Sequence, residues 1–452
     1  MSEWKETQIK YFGRVITGYT PATSDRELWN GEVPFYTPAD FKEDVYCSVT
    51  ERKLNEVALS NDRIVQENSL MVTCIASIGK IALAKRRGIS NQQINTIIFN
   101  DNFDPKYCYY LIKENINELI KLAGITAVPI VNKTEFEKIY LRHHSDLTEQ
   151  RQIARILSTS DSVIEKTQVA IAKYKAIKQG MLHDLFTRGV KSEKVKVKSE
   201  NGDIVEKLVW KLRPKYEDAP ELYKAGKLGI MPKEWDELLI NDCIDPIMSN
   251  VDKHIYENEI KILLCNYMDV YNNRYMTKGI SFSDGSVNAS EMQRFSLKSQ
   301  DVIITKDSET PDDIAVPTVL IEKVENLICG YHLCILRSKD LSKLNGEYLM
   351  LQLQIQEINS QFAIRANGST RYGLTIDAIE NVSLRIPKDI NEQLGIVKRI
   401  KTIDDKLKSE QNYLQKLQAI KQGLMGDLLS GRKRVNVDVN EDIDTNGNNV
   451  IS

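Results

Sequence analysis

The sequence has few cysteines, and none of them is close enough to another to form a Cys-x-x-Cys pair. There are seven in 452 residues, scattered from Cys47 to Cys334. An odd, dispersed set is typical of reduced thiols and disfavours a disulfide or zinc framework. The sequence also lacks a signal-peptide core after its first residue and any apolar run near the ~18–20 residues of a membrane span. We therefore expect a cytoplasmic protein without a membrane segment.

Catalytic motifs are missing as well. There is no Asn/Asp-Pro-Pro-aromatic run to hold an amino group for methylation, and Gly79-Lys80 lacks the upstream glycine of a phosphate-binding loop. His143-His144 has no accompanying cysteine or carboxylate pattern, so we expect no metal. The chain is predicted to bind rather than catalyse, with no catalytic residues and no cofactor of its own.

A strong charge of one sign is absent too. The net charge is −2, which gives no global indication of a polyanionic partner, although the field that matters is local. Residues 147–190 and 391–434 are basic, with net charges of +3 and +5, whereas 435–452 carries −4. The last segment has no hydrophobic periodicity and is predicted to be an acidic disordered tail.

What the chain does contain is an internal repeat. Ala176–Gly180 recurs as Ala419–Gly423, and the offset of 243 residues holds over roughly forty positions. Solenoid repeats are only a few tens of residues long, so this spacing indicates two copies of a large unit. The resulting pseudo-twofold symmetry suits a two-part site on DNA.

The repeated segments 147–190 and 391–434 are predicted to be long helices. Apolar residues recur every seven positions, as along a coiled-coil seam, with Ser145 or Thr148 and Asn391 as candidate N-caps. We expect an antiparallel intramolecular pair. The alternatives are packing on each helix's own globular neighbour or a dimer seam. The residues expected to pair the helices or to dock other subunits are Ile153, Ile164, Ile171, Tyr174, Met181, Leu185, Ile396, Ile403, Leu407, Leu414, Leu417, Leu424 and Leu428.

Each helix follows a mixed α/β segment, 1–146 in the first copy and 233–390 in the second, with a charged linker over 191–232. Glu67–Thr73 and Ser299–Thr305 align at an offset of 232. A glycine turn precedes each helix, at Gly124–Thr126 and Gly368–Thr370. The predicted fold class is α+β: two mixed α/β domains separated by two long helices in an antiparallel coiled coil.

Several residue groups carry a family resemblance. They are Thr148–Ile153, the Ala-Ile-Lys-Gln-Gly run with Asp184-Leu185, their second copies, Ser77–Lys80, Ser90–Gln93 and Gly368–Thr370. In order, spacing and duplication the chain resembles the specificity (S) subunit of type I restriction-modification enzymes. It departs from the pattern in two places. Thr187-Arg188-Gly189 replaces the Gly-Arg order of Ser430-Gly431-Arg432, and the second copy has Thr305-Lys306-Asp307 where the first has the Ser77–Lys80 turn.

This resemblance implies that the α/β segments are target recognition domains, each reading one half of a split, asymmetric sequence in double-stranded DNA. It implies that the helices set the gap and dock two copies of a modification (methyltransferase) subunit. S-adenosylmethionine, and Mg and ATP for restriction, would belong to partner subunits, including a restriction (motor and nuclease) subunit. The implied role is phage defence through DNA methylation and restriction.

Arg, Lys, Asn and Gln are the side chains that most often read base edges. Lys85–Arg87 and Asn91–Gln93 are expected to share one hairpin loop that contacts DNA. The alternative is that the basic triplet is only a solvated turn and that the amides pin the loop to the backbone of its own domain. The DNA-binding candidates are Lys80, Lys85, Arg86, Arg87, Asn91, Gln92, Gln93, Lys306, Ser308, Thr310, Arg365, Arg371 and Tyr372.

Two other function classes stay open. Asp44 with Glu51 and Lys53 has the residue types of a metal-dependent nuclease, a spacing that also arises by chance in a chain rich in Lys and Glu. A coiled-coil scaffold with protein-binding modules would show no salt-dependent DNA affinity.

Overall fold

The computed structural model describes residues 3–59, 62–123, 129–198 and 204–435. It divides into two compact units: unit 1 comprises 1–170 and 410–452, and unit 2 comprises 171–409. The division passes through both long helices, so each unit contains part of each helix. The glycine turn at 124–126 and all but the first residue of the acidic tail lie outside the described residues.

Unit 1 begins with the first α/β segment. Its strands are β1 Trp4–Gln8, β2 Gly13–Thr17, β3 Trp29–Tyr36, β4 Tyr46–Cys47, β5 Arg52–Leu54, β6 Leu70–Thr73, β7 Ile81–Ala84, β8 Ile89–Ser90, β9 Ile94–Phe99 and β10 Tyr140–His144. Its helices are α1 Pro105–Glu114, α2 Ile116–Leu122, α3 Lys133–Glu137 and the first part of α4 Leu147–Thr187.

Unit 2 contains the end of α4 and the second α/β segment. Its strands are β11 Val190–Lys198, β12 Ile204–Leu212, β13 Tyr223–Gly226, β14 Gly229–Pro232, β15 Trp235–Leu239, β16 Ile244–Met248, β17 Ile260–Cys265, β18 Tyr275–Met276, β19 Ser283–Val287, β20 Val302–Thr305, β21 Asp307–Ser308, β22 Pro317–Leu320, β23 Leu327–Cys329, β24 Leu333–Ser338, β25 Tyr372–Gly373 and β26 Ser383–Pro387. Its helices are α5 Ile240–Cys243, α6 Tyr267–Asn272, α7 Ala289–Phe295, α8 Gly346–Leu353, α9 Gln356–Arg365, α10 Ile376–Glu380 and the first part of α11 Ile390–Leu428.

The two α/β segments share one sheet topology despite their sequence divergence. The five-stranded sheet of unit 1 has the order β2-β9-β6-β7-β4, and that of unit 2 has the order β16-β24-β20-β22-β18. In each the edge strand, β4 or β18, runs parallel to its neighbour. Each unit also has a three-stranded sheet, β5-β3-β8 or β19-β17-β23, and a two-stranded one, β1-β10 or β15-β26. The internal repeat predicted from the helices therefore extends through the α/β domains.

The central strands explain why only a few residues align between the copies. Every residue of β6 and β20 is buried, so both faces must be apolar or hydrogen-bonded. Exposed positions of the other strands and of the loops can differ without disturbing the sheet.

Both long helices begin one or two residues from the predicted caps. The Asp146 carboxylate accepts the backbone N–H of Thr148 at 2.7 Å, and the Asp389 carboxylate accepts that of Asn391 at 2.9 Å. The predicted caps at Ser145, Thr148 and Asn391 are therefore wrong. In each copy the residue immediately before the helix supplies the acceptor, where a carboxylate also interacts favourably with the helix dipole.

The helices pack in antiparallel fashion within each unit, which confirms the predicted fold class. In unit 1 the early part of α4 shares a core with the late part of α11, through Leu157 and Leu428 among others. In unit 2 Phe186 shares a core with Ile396 and Ile400. None of the thirteen residues predicted to pair the helices is exposed. These cores also contain residues of the α/β domains. The ends of the helices therefore pack on their globular neighbours as well, as the alternative interpretation proposed.

The segment predicted to be a charged linker contains regular structure. The antiparallel pairs β11-β12 and β13-β14 lie between α4 and β15, and the Trp210 carbonyl accepts a hydrogen bond from Arg399 of α11. The hairpin β11-β12 thus contacts the first turns of α11 within unit 2.

A glycine follows each long helix at an equivalent place, Gly189 in the first copy and Gly431 in the second, although the order of glycine and arginine differs between the copies. Gly189 has φ +66° and Gly431 has φ +77°, and a Cβ on either would lie 2.5 Å from the indole of Trp235 or Trp4. A side chain at either position would meet both a strained backbone and an indole ring.

Candidate nucleic-acid interface

One loop is anchored in the same way in both units. The Thr73 hydroxyl accepts the backbone N–H of Lys80 at 2.9 Å, and the Thr305 hydroxyl accepts that of Val316 at 3.0 Å. In each unit the residue just before that donor has positive φ, and its own N–H bonds to the threonine carbonyl at 3.0 Å. Between these anchors unit 1 has residues 74–79 and unit 2 has the longer run 306–315. A shared anchor holding loops of different length and composition suits recognition of two different ligands.

In unit 2 the loop 306–315 lies beside two other segments. The N–H of Lys306 donates to the His332 carbonyl at 3.0 Å, and Ser308 pairs with Tyr372 where β21 meets β25. The structure therefore brings together the predicted residues Lys306, Ser308 and Tyr372, with the exposed Arg371 next to Tyr372 and the exposed Thr310 in the loop.

Arg365 is engaged elsewhere. It is half-buried at the end of α9, and its guanidinium donates to the Gln361 carbonyl of its own helix at 2.9 Å. Of the unit 2 candidates it has the weakest structural support, and its contact with DNA stays a prediction.

Two aromatic residues of this surface, Tyr331 and His332, were not predicted from the sequence. Tyr331 is 50% exposed, and the Lys306 ammonium lies 4.5 Å from its ring centroid. His332 Nδ1 lies 2.8 Å from the Asp307 carboxylate, which fixes both side chains. A Gly-Tyr-His turn between two buried strands was the available signal. This turn contains none of the Arg, Lys, Asn and Gln side chains that most often read base edges.

In unit 1 the turn at Asn91–Gln93 lies beside the loop 74–79, because the N–H of Cys74 donates to the Gln93 carbonyl at 2.7 Å. Asn91 is 9% exposed, and its amide bonds to the Gln93 side chain at 2.9 Å. Asn91 and Gln93 therefore pin the turn, as the alternative interpretation held. Gln92 is exposed, with its carbonyl oxygen accepting from the Thr20 hydroxyl at 2.7 Å.

The structure separates Lys85–Arg87 from this surface. The expected hairpin is absent, because β8 pairs with β3 between the two groups. Lys80 and Lys85 flank opposite ends of β7. Lys85 lies 5.1 Å from the Tyr46 ring, the carbonyl of Arg86 accepts the Tyr36 hydroxyl, and Arg87 pairs with Glu56 at 2.7 Å. Lys80 reaches the Pro38 carbonyl at 3.2 Å.

The residues of the nuclease alternative do not form one site. Lys53 pairs with Glu32 at 2.8 Å and lines a cavity with Glu51. Asp44 lines a different and larger groove, beside Lys80 and α1. A metal-dependent nuclease needs its carboxylates around one ion, and this arrangement does not provide that.

The two copies of the Ala-Ile-Lys-Gln-Gly run have the same environment. Lys421 pairs with Asp161, and Lys178 pairs with Asp404 at 2.6 Å, so equivalent residues form reciprocal ion pairs within the two units. The rest of each run faces outward. Ile177 and Ile420 are 40% and 47% exposed.

Across the described residues, no helix combines the length and apolarity that crossing a membrane requires.

Known proteins share this arrangement. The profile of the type I restriction modification DNA specificity domain matches residues 1–173 and 253–419. The MjaIX and MjaVIII type I specificity subunits of Methanocaldococcus jannaschii are 25% and 23% identical to the chain, each over 96% of it, and the alignments cover 94% and 93% of those proteins.

Solved structures show the same fold. The S subunit of a type I restriction-modification system from M. genitalium has a TM-score of 0.54 at 14% identity, over 94% of this chain and 96% of that one. A chain from a study of complex assembly and conformational transition in a type I system has a TM-score of 0.52 at 12% identity, over 95% and 98%. The chain belongs to the type I restriction-modification specificity subunits, the non-catalytic subunits that recognise DNA.

Proposed function

We propose that this subunit reads a bipartite, asymmetric DNA sequence, with one half read by unit 1 and the other by unit 2. The observation that supports this proposal is the pair of loops anchored at Thr73 in unit 1 and at Thr305 in unit 2. Identical anchors hold loops with different lengths and residues, 74–79 and 306–315. A common scaffold with unlike loops presents two unlike sets of side chains to DNA, so the two half-sites differ in sequence.

We further propose that the exposed Ala-Ile-Lys-Gln-Gly runs dock two copies of a modification subunit, and through it the restriction subunit. A Cβ added at Gly180 or Gly423 would meet no atom within 4 Å. Glycine inside an exposed helix costs roughly 1 kcal/mol relative to alanine, so its presence in both runs requires another reason. Close approach of a partner helix supplies one. We call Ile177 and Gly180 the docking face of unit 2, and Ile420 and Gly423 the docking face of unit 1.

The thirteen apolar residues predicted for helix pairing and docking are buried or half-buried, which supports the pairing role. Docking then falls to the two exposed docking faces. In this scheme S-adenosylmethionine is bound by the modification subunit, and Mg and ATP by the restriction subunit. The assembly acts in the cytoplasm, where it meets chromosomal and phage DNA.

The test is reconstitution of DNA methylation from the purified chain and its modification subunit. The chain alone is expected to transfer no methyl groups, and the mixture is expected to methylate one split sequence. The double variant Ile177→Asp/Ile420→Asp should lose co-purification with the modification subunit. The matched control Val169→Asp/Tyr413→Asp alters exposed apolar residues of the same helices outside the runs, at 63% and 49% exposure, and should retain it. Equal loss of co-purification in the two double variants would contradict the assignment of docking to these residues.

A further inference from the structure

Each unit places two glutamates beside a tryptophan where the α/β domain meets the long helix. In unit 2 these are Glu234 and Glu392, next to Trp235. Arg213 lies between them, with its side chain 5% exposed, and donates to both carboxylates. The Trp235 indole N–H also donates to Glu392, at 3.1 Å. This site is built around a buried cation.

The equivalent glutamates of unit 1 are Glu3 and Glu149, next to Trp4. The side chain between them is His144, which is 2% exposed. Its Nε2 lies 3.2 Å from a Glu149 carboxylate oxygen and 3.9 Å from one of Glu3. Arg434 contacts Glu3 from outside, with its side chain 72% exposed. Among the described contacts of this site, Glu149 meets no guanidinium equivalent to Arg213.

We infer that unit 1 binds a divalent transition-metal ion, of the zinc type, through His144 Nε2 and one carboxylate oxygen each of Glu149 and Glu3. The ion takes the place that the Arg213 guanidinium has in unit 2. Nothing in the recognition of DNA requires it.

The geometry and the ligand types fit such an ion. The three ligand atoms lie within 4.8 Å of one another. In a tetrahedral site with bonds of about 2.0–2.2 Å, ligand atoms are about 3.3–3.6 Å apart. The two distances from Nε2, 3.2 and 3.9 Å, are close to this, and the two carboxylate oxygens must approach each other by at most about 1 Å. One imidazole and two carboxylates are a ligand set that zinc accepts, with a fourth position left for water.

Binding of the ion must change the hydrogen bond at His144 Nδ1 and the ion pair of Glu3. His144 Nδ1 now accepts the Asp146 N–H at 3.2 Å and lies 3.5 Å from the Asp146 carbonyl. Metal binding at Nε2 requires the tautomer with the proton on Nδ1, so the bond from the Asp146 N–H must be given up. A small rotation of the ring toward the Asp146 carbonyl lets Nδ1–H donate to it, the kind of hydrogen bond that metal-bound histidines make through their other ring nitrogen. The exposed contact from Arg434 to Glu3 is readily given up, because surface ion pairs contribute little. His143 is not involved, since its Nε2 bonds to the Thr7 hydroxyl at 2.9 Å.

The bound ion would join three parts of unit 1. Glu3 precedes β1, His144 ends β10 and Glu149 lies in the first turn of α4. The ion therefore fastens the start of the chain and the first α/β domain to the long helix. We expected no metal because no cysteine or carboxylate pattern accompanies His143-His144 in the sequence. Pairing of β1 with β10 brings Glu3 close to His144, which no local pattern indicates.

The experiment uses the full-length chain, stripped of metal with EDTA, and ZnCl2 as the probe. After loading and desalting, one zinc ion per chain is expected by elemental analysis, together with a rise of several degrees in Tm. Glu3→Gln should weaken zinc binding at least tenfold, and His144→Gln should abolish it. The matched control is Glu234→Gln, which alters the equivalent glutamate of unit 2 and should bind zinc as the unaltered chain does.

Two results would overturn the inference. One is a chain that retains no zinc, and the other is equal zinc binding by the Glu3→Gln and Glu234→Gln variants. Glu3 is partly exposed, so its variant tests the site even if His144→Gln fails to fold. Zinc content is measured without DNA, so either result leaves the DNA-recognition role intact.

Discussion

Gln150 and Gln393 explain at the residue scale why a Glu-Gln pair recurs at the start of both long helices. Both glutamines are fully buried. The Gln150 amide donates to the His144 carbonyl at 2.9 Å and accepts the N–H of Asp104 at 2.9 Å. Gln393 donates to the Lys343 carbonyl at 2.7 Å and accepts the N–H of Asn345 at 3.0 Å. Each glutamine thus joins its helix to the first turn of a helix in the α/β domain. The repeat predicted that these residues matter, but not this role, because their partners lie 46 and 48 residues away.

Gln393→Ala should lower the free energy of unfolding by roughly 2–3 kcal/mol, because the Asn345 N–H and the Lys343 and Pro387 carbonyls lose the hydrogen bonds that Gln393 makes with them. The measurement is the urea midpoint of the purified chain. Gln179→Ala is the matched control, since Gln179 is exposed on the other long helix and its loss should change the midpoint little. Equal shifts for the two variants would contradict the joining role of Gln393.

The cysteines give a second prediction at this scale. Burial raises the pKa of Cys74 and of Cys334 to about 12, and that of Cys243 to about 11. The thiolate is the reactive form, so a raised pKa leaves little of it at pH 8. The native chain should therefore react slowly with a disulfide reagent, beginning at the half-buried Cys243, whereas all seven thiols should react in urea. Rapid labelling of several thiols in the native chain would be inconsistent with the buried positions.

At the scale of elements, the helices were predictable and the recognition loops were not. Helical periodicity located the starts of α4 and α11 to within one residue and their ends to within six, because a long amphipathic segment can be recognised from local sequence alone. The loop positions depend on strand order. Lys85 and Gln92 are seven positions apart in sequence, but β8 pairs with β3 between them, and no local pattern indicated this. Tyr331 was missed for the same reason, since pairing of β24 with β20 places it beside Lys306.

The reciprocal ion pairs give a prediction for the helices. In unit 1 the Asp161 carboxylate accepts the Tyr110 hydroxyl at 2.5 Å besides pairing with Lys421. In unit 2 Asp404 pairs with Arg274 at 2.5 Å besides Lys178. A double-mutant cycle with Asp161→Asn and Lys421→Met should give a coupling energy of about 1 kcal/mol, because both side chains are partly buried.

The control cycle combines Lys421→Met with Glu165→Gln, an exposed carboxylate one turn along α4. Its coupling should be near zero. Coupling in the control as large as in the Asp161 cycle would mean that the charge of the helix, rather than this pair, is responsible.

At the scale of the whole molecule, the chain passes twice through the same sequence of structures, an α/β domain and then a long helix. Both helices continue from one unit into the other, and this continuity is what makes them candidates for setting the gap between half-sites. The duplication was predictable because the helices kept their sequence, whereas the shared sheet order of the α/β domains became visible only in the structure.

Lengthening the helices tests this role. Seven residues inserted into each helix near the boundary between the units, at about 170 and 409, add about 10 Å at ~1.5 Å per residue. The gap should lengthen by about three base pairs, at ~3.4 Å each, with both half-sites unchanged. Sequencing of methylated sites measures this directly, and altered half-site sequences would contradict the assignment.

The most direct test of the central claim is a map of methylated bases for variants of each recognition surface. Gln92→Ala alters unit 1, and Lys306→Ala/Tyr331→Ala alters unit 2, each expressed with the modification subunit in cells that lack other methylation. We predict that the unaltered chain directs methylation to one split sequence, and that each variant relaxes or changes only one half of it, a different half for each unit. A variant of one unit that changes both halves, or methylation of a single undivided sequence, would contradict the account.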